Sequence, residues 1–335
     1  MLLDHILSSI LPASGAMQAA ATAAIERRLP PGESLGKLGA AAGRLAAARH
    51  APRPSVTARA VIICAADHGL AWPGVDLGAD GPAAAALRLI ASGESAVSAA
   101  ARTAGAAQVL VDAGVRGGDA LDLGRGVLSF RLADGTASIF DGPAMSREVA
   151  EAGLTTGIAL AVSLADASLD LVALGQIGPG SEVASGALIA ALVGAEPAAI
   201  APDEAGSIAR ALAANPLAVR EARDDPTGAL AALGGLEIAV HVGVILACAS
   251  IHVPVVLDDH GTWAAALVAA RLAPHTTGYL FAAHAGGRPG YRAALAALGI
   301  EPIFDLGLSH GEGTGALLAV PLLDAAARVL GDLGE

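Results

Sequence analysis

Residues 60–69 read AVIICAADHG, an apolar run that ends in the polar tripeptide Asp67-His68-Gly69. Similar apolar runs follow at 108–112, 169–174, 253–257, 277–282 and 302–305, and Ala/Leu-rich stretches separate most of them. Short apolar strands that alternate with helices are typical of parallel sheets, because parallel pairing needs a long crossover that covers the sheet. The pattern predicts an α/β protein with a three-layer, Rossmann-like parallel sheet.

The two ends of the chain lack this strand pattern and favour helices. We therefore expect an α/β catalytic domain over residues 56–312 and a small helical subdomain formed by 1–55 together with 313–335. Two Ala/Leu stretches, LAALGG near Leu233 and LAALGI near Leu298, run into glycine. Glycine readily takes the left-handed conformation that ends a helix, so both stretches are predicted to be helices that stop there.

The composition excludes several classes of protein. With 335 residues, 54% hydrophobic and 16% charged, the chain can bury a large core, and its 2% aromatic content means that small side chains must fill it. A net charge of −12 argues against nucleic-acid binding, which needs clustered Lys and Arg. The uncharged stretch 238–257 contains two histidines and a proline and predicts a buried helix followed by a strand, not a membrane span. The N-terminus has no basic region of a secretory signal, so we expect a cytoplasmic protein.

The cysteines and two of the histidines lie in apolar segments. Cys64 and Cys248 are predicted to be buried free thiols, with a disulfide or a cysteine metal site as the open alternative. His241 and His252 are interpreted as core histidines with satisfied hydrogen bonds.

Polar residues follow each predicted strand. In a parallel sheet, ligands bind at the carboxyl ends of the strands, so these residues are expected to form one polar rim. The positions are Asp67 and His68, Arg116 to Gly118, Gly175 to Ser181, Asp258 to His260, His284 to Arg288, and His310 to Gly315. Ligands that are adjacent in sequence point in different directions, so Asp258-Asp259-His260 does not predict a metal site.

Two segments of this rim have two interpretations each. The glycine-rich loop 175–181 precedes a predicted helix over 182–193, and it either presents N–H groups to a phosphate or forms a plain tight turn. Glu312 stands between glycines, where a ligand can approach a carboxylate closely. Its alternative role is to favour the dipole of a predicted helix over 316–330. Spacing alone leaves both pairs open.

Several motifs resemble, in order and spacing, the nicotinate-nucleotide:dimethylbenzimidazole phosphoribosyltransferase (CobT) family. They are SLGKL (34–38), ADHG (66–69), VDAGV (111–115), ALGGLEIA (232–239), PVVLD (254–258), RAALAALGIEPIFDLGL (292–308) and GEGTGALLAVPLL (311–323). The resemblance covers nearly the whole chain. It implies a homodimer without metal or cofactor that moves phosphoribose from nicotinate mononucleotide to dimethylbenzimidazole, with Glu312 as the general base.

The chain departs from this family mainly in the expected pocket. GQIGPGSEV replaces the family's GExGIGNTT, so Gln176 stands for a glutamate and Glu182 for a neutral hydroxyl beside the phosphate, where a carboxylate should repel the donor. Other family segments correspond, in this sequence, to GAEPA (194–198), Arg210, Asp258 to His260, Arg288 to Tyr291, and Ala85 in place of a glutamine that bonds the benzimidazole. The motifs of the scaffold are kept and those of the pocket have changed.

Three functional hypotheses follow. The first is a phosphoribosyltransferase acting on dimethylbenzimidazole or on another azole, purine or phenolic acceptor. The second is a non-catalytic, small-molecule-binding paralogue or regulatory subunit, which the lost GNTT favours. The third, a nucleotide-dependent oxidoreductase, is weakest because no GxGxxG follows the first strand.

On the first hypothesis Glu312 is catalytic, and the remaining site residues bind substrate around one cleft. These substrate-binding residues are Asp67, His68, Ala85, Gly175, Gln176, Gly178, Gly180, Ser181, Arg210, Asp258 and Arg288.

Overall fold

The computed structural model describes residues 2–70, 81–117, 122–287 and 289–332. The strands are β1 (Arg59–Ala66), β2 (Ala107–Gly114), β3 (Val127–Ser129), β4 (Leu171–Ile177), β5 (Val255–Leu257), β6 (Leu280–His284) and β7 (Pro302–Phe304). The helices are α1 (Leu2–Ser9), α2 (Gly15–Glu26), α3 (Gly36–Ala48), α4 (Pro82–Ala91), α5 (Ala96–Ala104), α6 (Arg147–Asp166), α7 (Ser181–Val193), α8 (Pro197–Ile200), α9 (Ala205–Ala214), α10 (Pro216–Glu221), α11 (Pro226–Leu233), α12 (Leu236–Ser250), α13 (His260–Leu272), α14 (Pro289–Leu298) and α15 (Thr314–Asp332).

The strands form one sheet in the order β3-β2-β1-β4-β5-β6-β7, and all neighbouring strands are parallel. This confirms the α/β prediction. The chain order reverses between β1 and β4, which pair in register from Arg59 with Leu171 to Ala65 with Ile177. Loops that leave two adjacent strands toward opposite sides open a crevice, so the β1/β4 boundary is the expected ligand position.

Three predicted strands begin later than the apolar pattern suggested: β4 at 171 and not 169, β5 at 255 and not 253, and β6 at 280 and not 277. Asp170 lies outside β4. Its carboxylate accepts hydrogen bonds from the backbone N–H groups of Thr57 and Ala58 and so holds the segment that leads into β1. Residues 277–279 belong to a 3-10 helix, Pro274–Tyr279, that precedes β6. The strand β3 was missed, since three residues give too short a pattern.

The two predicted glycine stops differ. Gly299 has a φ of 66° and ends α14 in the expected left-handed conformation. Gly234 follows α11 with φ −88° and ψ −154°, so the left-handed stop predicted there is wrong. The chain leaves α11 extended because only Gly234 and Gly235 separate it from α12.

The central pair of helices, α6 and α12, packs at backbone distance. A β-carbon on Gly157 would overlap the carbonyl oxygen of Val240, and one on Gly243 would overlap that of Leu154. Every residue from Leu236 to Ala249 of α12 is buried. The small side chains noted in the composition thus allow two helix backbones to touch, which a core of larger residues would prevent.

The buried thiols and histidines test the predictions for apolar segments. Cys64 and Cys248 are buried free thiols, as predicted. His241 is fully buried, as predicted, and interacts with the backbone of Ile62; full satisfaction of its hydrogen bonds stays a prediction. His252 is not a core residue: it follows α12 with φ 61° and stacks at 4.1 Å on the ring of His50.

We expect His241 to make the protein sensitive to acid. Burial lowers the pKa of His241 to about 4, from 6.5 in an unfolded chain. Because the folded pKa is the lower one, the unfolded chain binds the proton more readily, and stability present above pH 6.5 is lost as the pH falls toward 4. The expected loss is about 3 kcal/mol. Urea unfolding across this range should show a flatter pH dependence in His241→Leu, and an unchanged one in the exposed control His275→Leu. An equal slope in wild type and His241→Leu would contradict the prediction.

Helices from the two terminal segments pack in different places: α2 and α3 contact α15, whereas α1 contacts α12 and α6. The terminal helix α15 packs against α3 and also against β4 and β6. Whether α1 to α3 and α15 act as a separate subdomain stays a prediction.

By length and composition, α6 and α15 are apolar enough to span a membrane, yet both bury residues in the core, which accounts for their composition.

Candidate active site

The carboxyl ends of β1, β4 and β5 and the loop after β7 meet at one edge of the sheet. Gly175, in β4, lies against the backbone of Glu312, because a β-carbon on Gly175 would overlap the Glu312 carbonyl group. The structure therefore brings Glu312 to the Gly175–Ser181 loop, as the cleft hypothesis required.

Glu312 has an unusual backbone. Its φ of 63° lies in the left-handed region, which costs a residue other than glycine about 1–3 kcal/mol and persists where the surroundings impose it. The side chain is 25% exposed, and its Oε2 atom lies 3.5 Å from Nε2 of His310. Burial raises the pKa of Glu312; His310 opposes this shift and the charge of Asp258 adds to it. A partly desolvated carboxylate of this kind is suited to accept a proton.

The alternative role of Glu312, favouring the start of a helix, falls to another residue. The carboxylate of Asp258, fully buried, accepts hydrogen bonds from the N–H groups of Gly313 (2.8 Å) and Ala316 (3.1 Å) at the start of α15. Its Oδ1 also lies 3.1 Å from Nε2 of His284. Asp258 thus holds the Glu312 loop from behind. Asp258 was predicted to bind substrate, and its burial favours an anchoring role instead.

The tautomer of His284 follows from its second contact. The N–H of Gly286 donates to Nδ1 at 3.1 Å, so Nδ1 carries the lone pair and Nε2 carries the proton that is donated to Asp258. Asp258 therefore accepts hydrogen bonds from both sides, from the His284 ring and from the N–H of Gly313.

Gln176 and Asp259 meet beside this anchor. The backbone N–H of Gln176 donates to Oδ2 of Asp259 at 3.2 Å, and Asp259 caps α13 through Thr262. Burial and the nearby Asp258 charge raise the pKa of Asp259 to about 7. The Gln176 amide donates to the hydroxyl of Ser181 at 3.0 Å and lies over Gly261, where a β-carbon would overlap it.

The loop 175–181 is a tight turn that opens a helix. The N–H of Ser181 donates to the carbonyl of Gly178 at 2.8 Å, and Gly180 has a φ of 88° immediately before α7. The turn places backbone at the start of α7, so both earlier interpretations, turn and phosphate loop, fit the geometry. Glu182 lies in the first turn of α7, 3.9 Å from the ring of His260.

A buried ion pair lies beneath this turn. Nε2 of His68 is 2.9 Å from Oε1 of Glu237, and both side chains are fully buried. Burial alone would lower the pKa of His68, but the charge and hydrogen bond of Glu237, with the charges of Asp67 and Glu182, raise it. Sequence reasoning missed Glu237, although a charged residue in the otherwise apolar stretch 236–249 is a signal that could have found it.

Asp67 is buried next to this pair. Its Oδ2 accepts a hydrogen bond from the N–H of Arg116 at 2.8 Å, and its Oδ1 has no partner among the described residues. Burial raises the pKa of Asp67, against the opposing charge and hydrogen bond of Arg116.

Two of the described predicted site residues are not brought to Glu312 by the contacts given above. Ala85 is exposed on α4. The guanidinium of Arg210, on α9, is exposed and lies 4.4 Å from the ring centre of Phe140. Arg288 lies outside the described residues. Within the ranges that the structure covers, no group of three or more His, Cys, Asp or Glu side chains is arranged to hold a metal ion.

Comparisons with known proteins agree on one family. Residues 10–335 match the DBI_PRT family, described as phosphoribosyltransferase. Relatives named nicotinate-nucleotide–dimethylbenzimidazole phosphoribosyltransferase include those of Syntrophobacter fumaroxidans, 38% identical over 98% of this chain and 95% of the relative, and Roseiflexus sp., 37% identical over 99% and 96%. The solved structure of the Thermus thermophilus protein of that name has a TM-score of 0.85 and 35% identity over 95% of this chain and 96% of its own.

Proposed function

The chain belongs to the DBI_PRT phosphoribosyltransferase family, and on that premise we propose that it transfers the phosphoribosyl group of nicotinate mononucleotide to an aromatic base, dimethylbenzimidazole or a related acceptor. The observation that carries this proposal is Glu312, a partly buried carboxylate with a raised pKa at the carboxyl edge of the sheet. Its backbone is held by Asp258 and by contact with Gly175.

The chemistry needs one base. A ring nitrogen of the acceptor bonds to the anomeric carbon of the donor, and the bond from that carbon to the nicotinate nitrogen breaks with its electron pair remaining on nicotinate. The acceptor ring must then lose its N–H proton, which Glu312 accepts. A raised pKa makes the ionised carboxylate a better proton acceptor.

The test is a product assay. Purified protein is incubated with nicotinate mononucleotide and a panel of azoles, purines and phenols, and nicotinate release and product mass are measured together. We expect equimolar nicotinate and phosphoribosylated base. Calorimetric binding of nicotinate mononucleotide without product from any base would instead favour the non-catalytic paralogue, and neither binding nor product would reject both.

We expect dimethylbenzimidazole to be a poor acceptor. Ala85 offers no side-chain hydrogen bond, and the amide nitrogen of Gln176 already donates to Ser181. A polar ring atom left without a partner costs about 1–3 kcal/mol, roughly ten- to a hundredfold in rate. The test compares kcat/KM for dimethylbenzimidazole with kcat/KM for the other bases of the panel. A wild type that already uses dimethylbenzimidazole as well as any other base would refute this.

We further propose a homodimer that works in the cytoplasm on small molecules, as the resemblance implies. Light scattering coupled to size-exclusion chromatography tests the oligomeric state: a mass of twice the 32.6 kDa chain supports a dimer, and the single-chain mass rejects it.

A further inference from the structure

We propose that Glu237 is a positioning residue, which acts through His68 to set the Gly178–Ser181 turn against which the donor nucleotide binds. This inference rests on the proposed function and extends it to a residue with no assigned role. Its starting point is that His68 and Glu237 form a fully buried ion pair at 2.9 Å. A buried pair of this kind is weak evidence for a stabilising role, since the cost of desolvating both charges can exceed their attraction.

The pair lies between two glycines. A β-carbon on Gly178 would stand 3.2 Å from both Oε1 of Glu237 and Nε2 of His68, the two atoms that share the hydrogen bond. On the other side, a β-carbon on Gly235 would stand 2.5 Å from Oε2 of Glu237 and 2.6 Å from the His68 ring. A shift of the pair is therefore transmitted to Gly178, whose carbonyl accepts the hydrogen bond that begins α7.

The surroundings of the pair are polar and incompletely bonded. Nδ1 of His68 and Oε2 of Glu237 have no partner among the described residues, and neither has Oδ1 of Asp67. An unpaired buried polar atom costs about 1–3 kcal/mol, so an apolar replacement would serve stability better. Keeping these groups at the β1/β4 crevice is explained if the pair serves the site.

The ring of His68 in this pair can lose a proton, and that loss can be followed by its effect on the kinetics. Asp67, from the same loop, Glu237, from α12, and Glu182, from α7, face His68, and together they raise its pKa above the usual 6.5. His68 therefore releases its proton at a higher pH than an ordinary histidine does. Glu237→Gln removes the charge that holds this proton while burial remains, so the pKa of His68 falls.

The experiment compares kcat and KM for nicotinate mononucleotide between pH 6 and pH 9 in the whole protein. In Glu237→Gln we expect KM for the donor to rise about tenfold or more, with a smaller change in kcat, and the basic limb of kcat/KM to move to lower pH. Glu237→Asp keeps the charge and should restore the wild-type pH profile in part. It also keeps the test decisive if Glu237→Gln fails to fold.

His241→Leu is the matched control, since it removes another buried titrating side chain from the same helix, one turn further along. We expect it to change stability without moving the pH profile or KM. The inference is overturned if Glu237→Gln loses stability yet keeps the wild-type KM and pH profile, or if His241→Leu shifts that profile equally. A wild type that neither binds nor turns over nicotinate mononucleotide overturns the proposed function and this inference together. Full wild-type activity in Glu237→Gln and Glu237→Asp overturns the inference alone.

Discussion

Glu312→Gln should lower kcat about a hundredfold or more while nicotinate mononucleotide still binds. Glutamine keeps the size and hydrogen-bonding capacity of the side chain but cannot take the proton that the acceptor loses. The two quantities to measure are turnover with the best acceptor and the dissociation constant of the donor by calorimetry.

The same variant separates catalysis from a role at the helix start. Since Asp258 accepts the hydrogen bonds of Gly313 and Ala316, Glu312→Gln should leave the unfolding free energy within about 1 kcal/mol of wild type. Full activity would remove the general-base assignment. A loss of stability large enough to explain the loss of activity would return Glu312 to the helix-capping interpretation.

Gly175→Ala should disrupt the same site from beneath. A methyl group there would overlap the carbonyl of Glu312. The overlapped atoms belong to the backbone, which cannot move aside as the end of a flexible side chain could. Overpacking of this kind costs about 1–3 kcal/mol of stability. A displacement of the Glu312 loop by roughly 1 Å would cost about a hundredfold in kcat/KM.

The control for that prediction is Gly331→Ala in α15, where an added methyl group meets open space. It should match or slightly exceed the wild-type melting temperature, because alanine favours a helix over glycine. Both variants are compared by thermal unfolding and by kcat/KM. Wild-type activity in Gly175→Ala would show that the contact between β4 and the Glu312 loop does not govern the reaction.

The sheet was predictable because its strands are continuous apolar runs that end in polar residues, as in AVIICAADHG. The left-handed stop at Gly234 was predicted wrongly because a glycine permits that conformation without requiring it. The hydrogen-bonding state of His241 could not be read from the sequence, since it depends on what packs around α12.

The positions of the site residues at the strand ends were predictable from the sequence. The role of each residue was less so. The flanking glycines singled out Glu312 and the family resemblance gave it the role of base, and the structure places it beside Gly175. The anchoring of the loop by Asp258 depends on contacts between residues 55 positions or more apart in the chain, which spacing does not encode. Glu237 was overlooked because the motif that contains it matched a family pattern and was treated as scaffold.

The close glycine contact between α6 and α12 determines how this part of the protein unfolds. Where two helix backbones touch, as at Gly157 and Gly243, solvent reaches the amides of α12 only when the helices separate. Separation of a buried interface as one unit requires a free energy near that of global unfolding. The amides of α12 should therefore be the slowest in the chain to exchange with deuterium. The interface between α6 and α12 should be the last part of the fold to unfold.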